Sequence, residues 1–442
     1  MMKVHPLERS LWYDTAAPAP ETHPLDGAVV ADVTVIGGGY TGLSTALHLA
    51  KRGVKAVVLE AEEAGYGGSG RNAGHCSPTF LHHTPEEVVQ QWGPVYGPRM
   101  VRLQADAANL VFGLIREYGM DCEAFQNGLI FPAHTRAALT AQESVCASYA
   151  ALGKHVRMLD EAEVSKLTGS ERYAGGWFHP EGGHLNPLGY ARGLARAALK
   201  EGAVIHTGAR ATRVVPDGAK WRVETARGSV TADKVVIGTN AFTGDFWPDL
   251  GRTYFPLTPF NVATEPLSEN VRRSILPGNN NLIDVRKDTQ YYKLDKDGRL
   301  VTGSVVNWGR GVDPTYTFGI IERRLRDLFP QIGELKWRWL WHGYIDMVPE
   351  MIPKLFRPAP GVVAALGFSG RGVPTCTALG KSLAEWAAGV VAEPDLPLPF
   401  LDPTPLRGRR ILSFMTPVVA GPLYRWQDKR DLRRDGQTPP KL

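Results

Sequence analysis

Four cysteines in 442 residues are few, and Cys76, Cys122, Cys146 and Cys376 stand far apart with no CxxC or metal-type spacing. That scarcity excludes a disulfide scaffold and a cysteine-based metal centre, and reads as the reduced thiols of a cytoplasmic protein. Long apolar runs are missing too. Nothing approaches the roughly 18 residues of a membrane-crossing helix, and the stretch from Ile411 to Ala420 is broken by Ser413, Thr416 and Pro417. The opening MMKVHPLERSLWYD has no hydrophobic centre of the kind a secretory signal carries. No internal repeat or low-complexity tract stands out. What is present is a chain 43% hydrophobic and 21% charged, long enough for two intimately joined domains and too apolar to be disordered.

The net charge of +5 is unevenly placed. From Pro403 onward there are nine Lys/Arg and three Asp/Glu, so the last forty residues carry +6 and the preceding body −1. A basic tail is not a basic folded face, and nucleic-acid binding has little support. The tail sequence RGRRILSFMTPVVAGPLYRWQDKRDLRR sets basic clusters around a short apolar stretch. Two readings follow: a tail wrapped on its own body or a homodimer mate, which is preferred, and a contact with a membrane surface.

After a Pro-rich N-terminal arm over 1–27, the segment ADVTVIGGGYTGLSTALHLAKRGVKAVVLEAE reads as strand, helix and strand. Gly37, Gly39 and Gly42 form a GxGxxG directly after the first strand, with Tyr40 and Thr41 between them. Such glycines allow a tight turn, close backbone approach to a pyrophosphate, and tight helix–strand packing. Glu60 follows Gly37 by 23 positions, where a carboxylate can hold ribose hydroxyls and disfavour a 2′-phosphate. The pattern therefore predicts FAD or NAD. A second run, from Gly67 to His75, is Gly-rich yet holds Arg71, Asn72 and His75, and suits wrapping round a flat polar cofactor. The third run, Gly367 to Val373, lies between an apolar strand and a helix, where a helix N-terminus and Arg371 would favour negative charge.

The hairpin TQYYKLDKDGRLVTGSVV turns at Asp297-Gly298. It offers Tyr291 and Tyr292 to a site, only one of which can face it because strand neighbours point oppositely. Tyr292 is retained as the catalytic candidate, with His75 and Arg371; Trp308 and Tyr254 are weaker, and Lys293 reads as solvated.

These motifs in this order resemble the D-amino-acid-oxidase-type flavoproteins, the glycine and sarcosine oxidase family, with the nearest likeness to its gamma-glutamylputrescine oxidase-like branch. The likeness runs through LWYDTA, VVLEAEEAGYGGSGRNAG, IREYGMDCEAFQNGLIFPAHT, the GTNAFT run at 238–243, ATEPL, DGRLVTGS and GFSGRGV. It implies an α/β fold in which a Rossmann-like FAD-binding domain (28–120, 186–250 and 361–395) interleaves with a substrate domain (121–185 and 251–360) on a large mixed sheet. The segment 396–442 is left as the basic tail. FAD contacts implied by the resemblance are Gly37, Gly39, Tyr40, Thr41, Gly42, Glu60, Ala61, Ser69, Gly70, Arg71, Asn72, Ala73, Gly74, Val214, Thr239, Gly370, Arg371, Gly372 and Val373.

Some relatives attach flavin through a cysteine, where Gly343 stands here, or through a histidine, where Arg71 stands, so non-covalent FAD is expected. Arg371 replaces a common histidine, and Pro374 replaces the lysine of sarcosine-oxidase-type enzymes, which argues against N-methylglycine. The implied reaction is hydride transfer from a C–N bond of an amine or amino acid to flavin N5, then imine hydrolysis, with O2 reoxidising the flavin to give hydrogen peroxide. The alternatives are a dehydrogenase serving a quinone or protein acceptor at a membrane surface, and a non-enzymatic scaffold. No metal is implied.

Overall fold

The computed structural model describes residues 5–306 and 311–440. Its first layer is a seven-stranded sheet in the order Phe400–Leu401, Lys354–Ala359, Val362–Leu366, Lys234–Ile237, Val33–Ile36, Ala56–Leu59, Val204–His206. All neighbours are parallel except Lys354–Ala359 against Val362–Leu366. Val33–Ile36 and Ala56–Leu59 are buried along their whole length, as parallel strands covered on both faces must be.

One face is covered by helices Tyr40–Ala50, Pro187–Lys200 and Gly372–Ala387 and by the long helix Pro85–Tyr118. That last helix contains Pro94 and Pro98, and it is kinked at Gly93, directly before Pro94, where φ is +74°. The opposite face carries a four-stranded sheet of Gly27–Val30, Gly228–Ala232, Lys220–Glu224 and Arg213–Asp217.

The second body is an eight-stranded sheet in the order Trp337–His342, Pro259–Thr264, Leu300–Val305, Tyr291–Leu294, Asn281–Ile283, Leu129–Ala133, Gly175–His179, Arg157–Leu159. It is antiparallel except where Asn281–Ile283 runs beside Leu129–Ala133. The turn expected at Asp297-Gly298 is a longer loop. Asp295 organises it by accepting from the amides of Asp297 and Arg299 and from the Arg299 guanidinium. The mixed fold expected from the sequence is present. The seven-stranded sheet draws in chain ahead of residue 360 and one short strand, Phe400–Leu401, from beyond residue 395.

The basic tail is not loose. It forms helix Arg409–Met415, a π-helical turn Thr416–Ala420 and helix Gly421–Arg434. Asp428 accepts from the amides of Lys287 and Asp288 at 3.1 and 3.0 Å, and Ser413 Oγ donates to the Pro256 carbonyl at 2.8 Å. The tail therefore wraps its own body, as the preferred reading of its sequence anticipates. No helix of the described residues is long and apolar enough to cross a membrane. All four cysteines are free and buried.

Candidate active site

Helices Tyr40–Ala50, on Gly39, and Gly372–Ala387, on Arg371, begin without a side-chain cap, as do the short helix Glu269–Ser274 and the two tail helices. Six others are capped, by Ser10, Thr84, Thr135, Asp160, Asn186 and Asp313. An uncapped start leaves backbone N–H groups and the positive dipole end available to a negative ligand. Tyr40–Ala50 and Gly372–Ala387 pack side by side. Ser44 Oγ donates to the Thr377 carbonyl at 2.7 Å, and a Cβ on Gly380 would lie 2.5 Å from the Thr41 carbonyl oxygen. Their starts flank the same region of the strand ends.

Gly37 has φ +105°, and a Cβ there would stand 2.9 Å from the Gly238 oxygen. A Cβ on Gly42 would stand 1.9 Å from the Gly37 oxygen, which no adjustment accommodates. Thr239 follows Gly238 directly and shares its hydroxyl with Thr243 at 2.9 Å. Ser69 Oγ accepts from the Tyr40 amide at 3.0 Å. Glu60 Oε2 accepts from the Gly38 amide at 2.5 Å and Oε1 from the Glu62 amide at 2.9 Å, and burial raises its pKa. Thr41 is buried in the first helical turn; Tyr40 is buried as well, and its hydroxyl donates to the Pro187 carbonyl. Ala61 follows Glu60 half-buried.

Residues 67–75 fold as a short helical turn and an extended end. Asn72 Oδ1 accepts from the Gly74 amide, and its Nδ2 donates to the Ser69 carbonyl, so Gly70 to Ala73 are fixed internally. From outside, Trp12 Nε1 donates to the Asn72 carbonyl at 2.8 Å; Trp341 Nε1 and Asn261 Nδ2 both donate to the Arg71 carbonyl, at 2.9 and 3.0 Å.

Several sequence expectations need correction. The Arg71 side chain turns away from the loop's inner side. Its Nε donates to the Tyr66 carbonyl and its Nη1 to the His5 carbonyl, clamping the N-terminal arm. Tyr292 is buried in an apolar cluster against Phe329, with its hydroxyl donating to Gln290. The tyrosine that meets the loop is Tyr291, edge-on to His75 at 5.2 Å between ring centres and donating to Asn261 Oδ1 at 2.9 Å. Lys293 is not solvated. Its Nζ donates to the Leu185 carbonyl at 2.6 Å, lies 4.4 Å from the Trp12 ring centre, and sits behind Gly74, whose Cβ would approach it to 2.6 Å. Burial pulls its pKa down to about 8. Val214 pairs with Val223 on the edge strand of the four-stranded sheet, a position that does not conflict with the backbone contact expected of it. The chain beside Glu60 is Gly208–Ala209, whose amides donate to the carbonyls of Glu62 and Glu60. Tyr254 lies in an apolar cluster with Tyr344 and Val348, and Trp308 falls outside the described residues.

Arg371 lies near enough to His75 for its charge to act on the imidazole. Asn281 Nδ2 donates to His75 Nδ1 at 2.7 Å, which leaves the ring proton on Nε2, a buried atom without a partner among the described residues. Burial, with the charges of Lys293 and Arg371, keeps the imidazole neutral. The Arg371 guanidinium makes no ion pair among the described residues, and its Nε is buried without a partner. Its field reaches His75, His82 and Tyr149, and burial pulls its pKa to about 10. Gly370 is in the left-handed region at φ +87°, Gly372 opens the helix, and the Val373 side chain goes into the core. Sequence reading missed Asn261, Asn281 and Asp346. Asp346 is fully buried and pushed up to about 7, and its Oδ2 accepts from the Gly367 amide.

The region so enclosed has two uncapped helix starts, glycines too tight for any side chain, and orphaned polar atoms on His75, Asn281, Tyr344 and Arg371. Those features fit a large dinucleotide with a polar ring system.

Comparison with known proteins agrees. Residues 32–386 match the DAO family, described as FAD dependent oxidoreductase. The chain is 32% identical over 368 residues to gamma-glutamylputrescine oxidoreductase of Escherichia coli, covering 83% of this chain and 85% of that one. It is 30% identical to the probable oxidoreductase OrdL of Haemophilus influenzae, covering 86% and 88%. Glycine oxidase of Geobacillus kaustophilus shares the fold, with a TM-score of 0.69 at 20% identity over 82% of this chain and 96% of that one. The chain belongs to the DAO family of FAD-dependent oxidoreductases.

Proposed function

We propose that the chain oxidises the C–N bond of an amine or amino acid that also carries a carboxylate, with O2 as electron acceptor. The overall change consumes the amine, O2 and water and yields a carbonyl compound, the released amine or ammonia, and hydrogen peroxide. Bound FAD supplies the two-electron acceptor for the C–H bond being broken. In this reading Gly37, Gly39 and Gly42 face the pyrophosphate, Glu60 the ribose, and the start of helix Gly372–Ala387 the pyrimidine side of the ring. FAD is held non-covalently in this reading, with Gly343 and Arg71 at the positions where the linking cysteine or histidine of some relatives would stand.

The observation that carries the substrate class is Arg371, a half-buried arginine whose Nε is buried without a partner and which has no carboxylate of its own among the described residues. A buried charge without a counter-ion is costly, and the cost is relieved when a ligand brings the anion. His75 presents an N–H and no positive charge, so it orients a polar substrate atom without repelling a cation. Tyr291, held by Asn261, walls the same space. Relatives whose names describe a gamma-glutamylputrescine oxidoreductase and glycine oxidases support an acid-bearing amine.

The experiment is a visible spectrum of the purified protein, then peroxide release across amines with and without a carboxylate. A yellow protein producing peroxide from carboxylate-bearing amines is expected. A protein that neither holds nor takes up FAD, or that turns over only with artificial electron acceptors, overturns the oxidase reading.

A further inference from the structure

We infer that the C-terminal helices form a docking face for an anionic lipid bilayer, a property independent of the substrate reading above. Ile411, Met415, Val419, Leu423 and Trp426 recur along these helices, and every one is exposed, Ile411 by 66% and Trp426 by 54%. A four-residue step on an ideal α-helix drifts by about 40°. The wider π-helical turn Thr416–Ala420 takes back part of that drift, so the apolar side chains stay on one side over the length of the tail.

The other side is committed to the body. Leu432 is buried, Asp428 is held by the Lys287 and Asp288 amides, Asp435 accepts from the Arg136 amide, and Gln437 donates to the His134 carbonyl. The apolar row is thus turned outward by a fixed mount rather than left on a loose end.

Charge selects the occupant. Exposed arginines sit at both ends of the row, Arg407 and Arg410 at one and Arg433 and Arg434 at the other. The tail's acids are spent elsewhere: Asp428 and Asp435 face the body, and Asp431 pairs with Arg430. A second copy laid on this face, in either orientation, would place arginines over arginines. An anionic lipid surface accepts both features at once, taking the apolar row into the acyl boundary and the arginines at the head groups. Trp426 and Tyr424, aromatic with one polar atom each, suit that boundary.

The test uses the full-length holoenzyme and co-sedimentation with vesicles of phosphatidylcholine, with and without about one quarter phosphatidylglycerol. Binding to the anionic vesicles is expected to exceed binding to the neutral ones by about tenfold or more, and to be released at about 0.5 M NaCl, where screening shortens to a few ångströms. Replacing Ile411, Val419 and Leu423 together by serine should lower the partition by about tenfold while the flavin spectrum stays unchanged. Binding equal on both vesicle types, or none, overturns the inference. So does light scattering that shows a dimer which the triple serine variant dissociates, because a second copy then covers the face. The salt and lipid comparisons on the wild type decide the matter even if the triple variant fails to fold.

Discussion

Asp346 Oδ2 accepts from the Gly367 amide at 2.5 Å, and the Asp346 carbonyl accepts from the Ser369 amide at 3.1 Å, so one buried residue fixes the loop that carries Arg371. Burial raises its carboxyl pKa to about 7. The native state therefore holds a proton that the unfolded chain releases near pH 4, and stability falls as pH rises from about 4 to about 7. Asp346→Asn keeps an acceptor for Gly367 and should flatten that part of the thermal stability profile. Asp346→Ala strands the amide and should cost about 1–3 kcal/mol. An unchanged pH profile in the Asn variant would remove Asp346 as the titrating group.

The two adjacent tyrosines should separate by kinetics and stability. Tyr291→Phe, which leaves the buried Asn261 Oδ1 without its donor beside His75, should lower kcat/KM and cost only about 1–3 kcal/mol of stability. Tyr292→Ala should cost about 3–5 kcal/mol, as large core truncations do, while Tyr292→Phe leaves steady-state kinetics unaltered. A kinetic defect confined to Tyr292→Phe would reverse the assignment.

Glycines in the cradle should fail in different ways. Gly42→Ala puts a methyl 1.9 Å from a backbone oxygen and should prevent stable folding even without FAD. Gly39→Ala meets only the Ser69 side chain, its hydroxyl at 2.9 Å, so adding Ser69→Gly should recover part of the melting temperature of the FAD-free protein, less the bond from the Tyr40 amide. Differential scanning calorimetry reads both, and equal losses that no second change rescues would contradict the contact.

Arg371→Gln should raise KM for a carboxylate-bearing amine by about 10- to 150-fold, equivalent to the ~1.5–3 kcal/mol of a hydrogen bond to a charged group. Turnover of an uncharged amine should be little affected, and Arg371→Lys should recover part of the loss. The flavin spectrum checks that cofactor binding survives. Equal losses on both substrate types would mean that Arg371 serves the flavin instead.

The cofactor cradle was legible because its signal is local: a strand, three glycines, a helix and Glu60 within one stretch. The substrate side was not. Whether Tyr291 or Tyr292 faces the loop depends on strand register, which residues at 282–283 and 300–301 set. Lys293 is buried by Trp12 and Leu185, both far away in sequence, so no neighbouring residue announces it. Arg71 looks like a ligand contact among glycines, and only the N-terminal arm, folding back to present the His5 carbonyl, shows why it points away.

The central sheet also sets a timetable for synthesis. Val33–Ile36 takes Lys234–Ile237 as its neighbour, and that strand in turn takes Val362–Leu366. At roughly 5–20 residues per second, one edge of the first strand waits about 10–40 s on the ribosome for its partner. That edge is an apolar strand with unpaired backbone groups, the kind of surface other chains pair with. The interval before residue 237 emerges is thus when the nascent protein is most exposed to aggregation and when a chaperone would have most to protect.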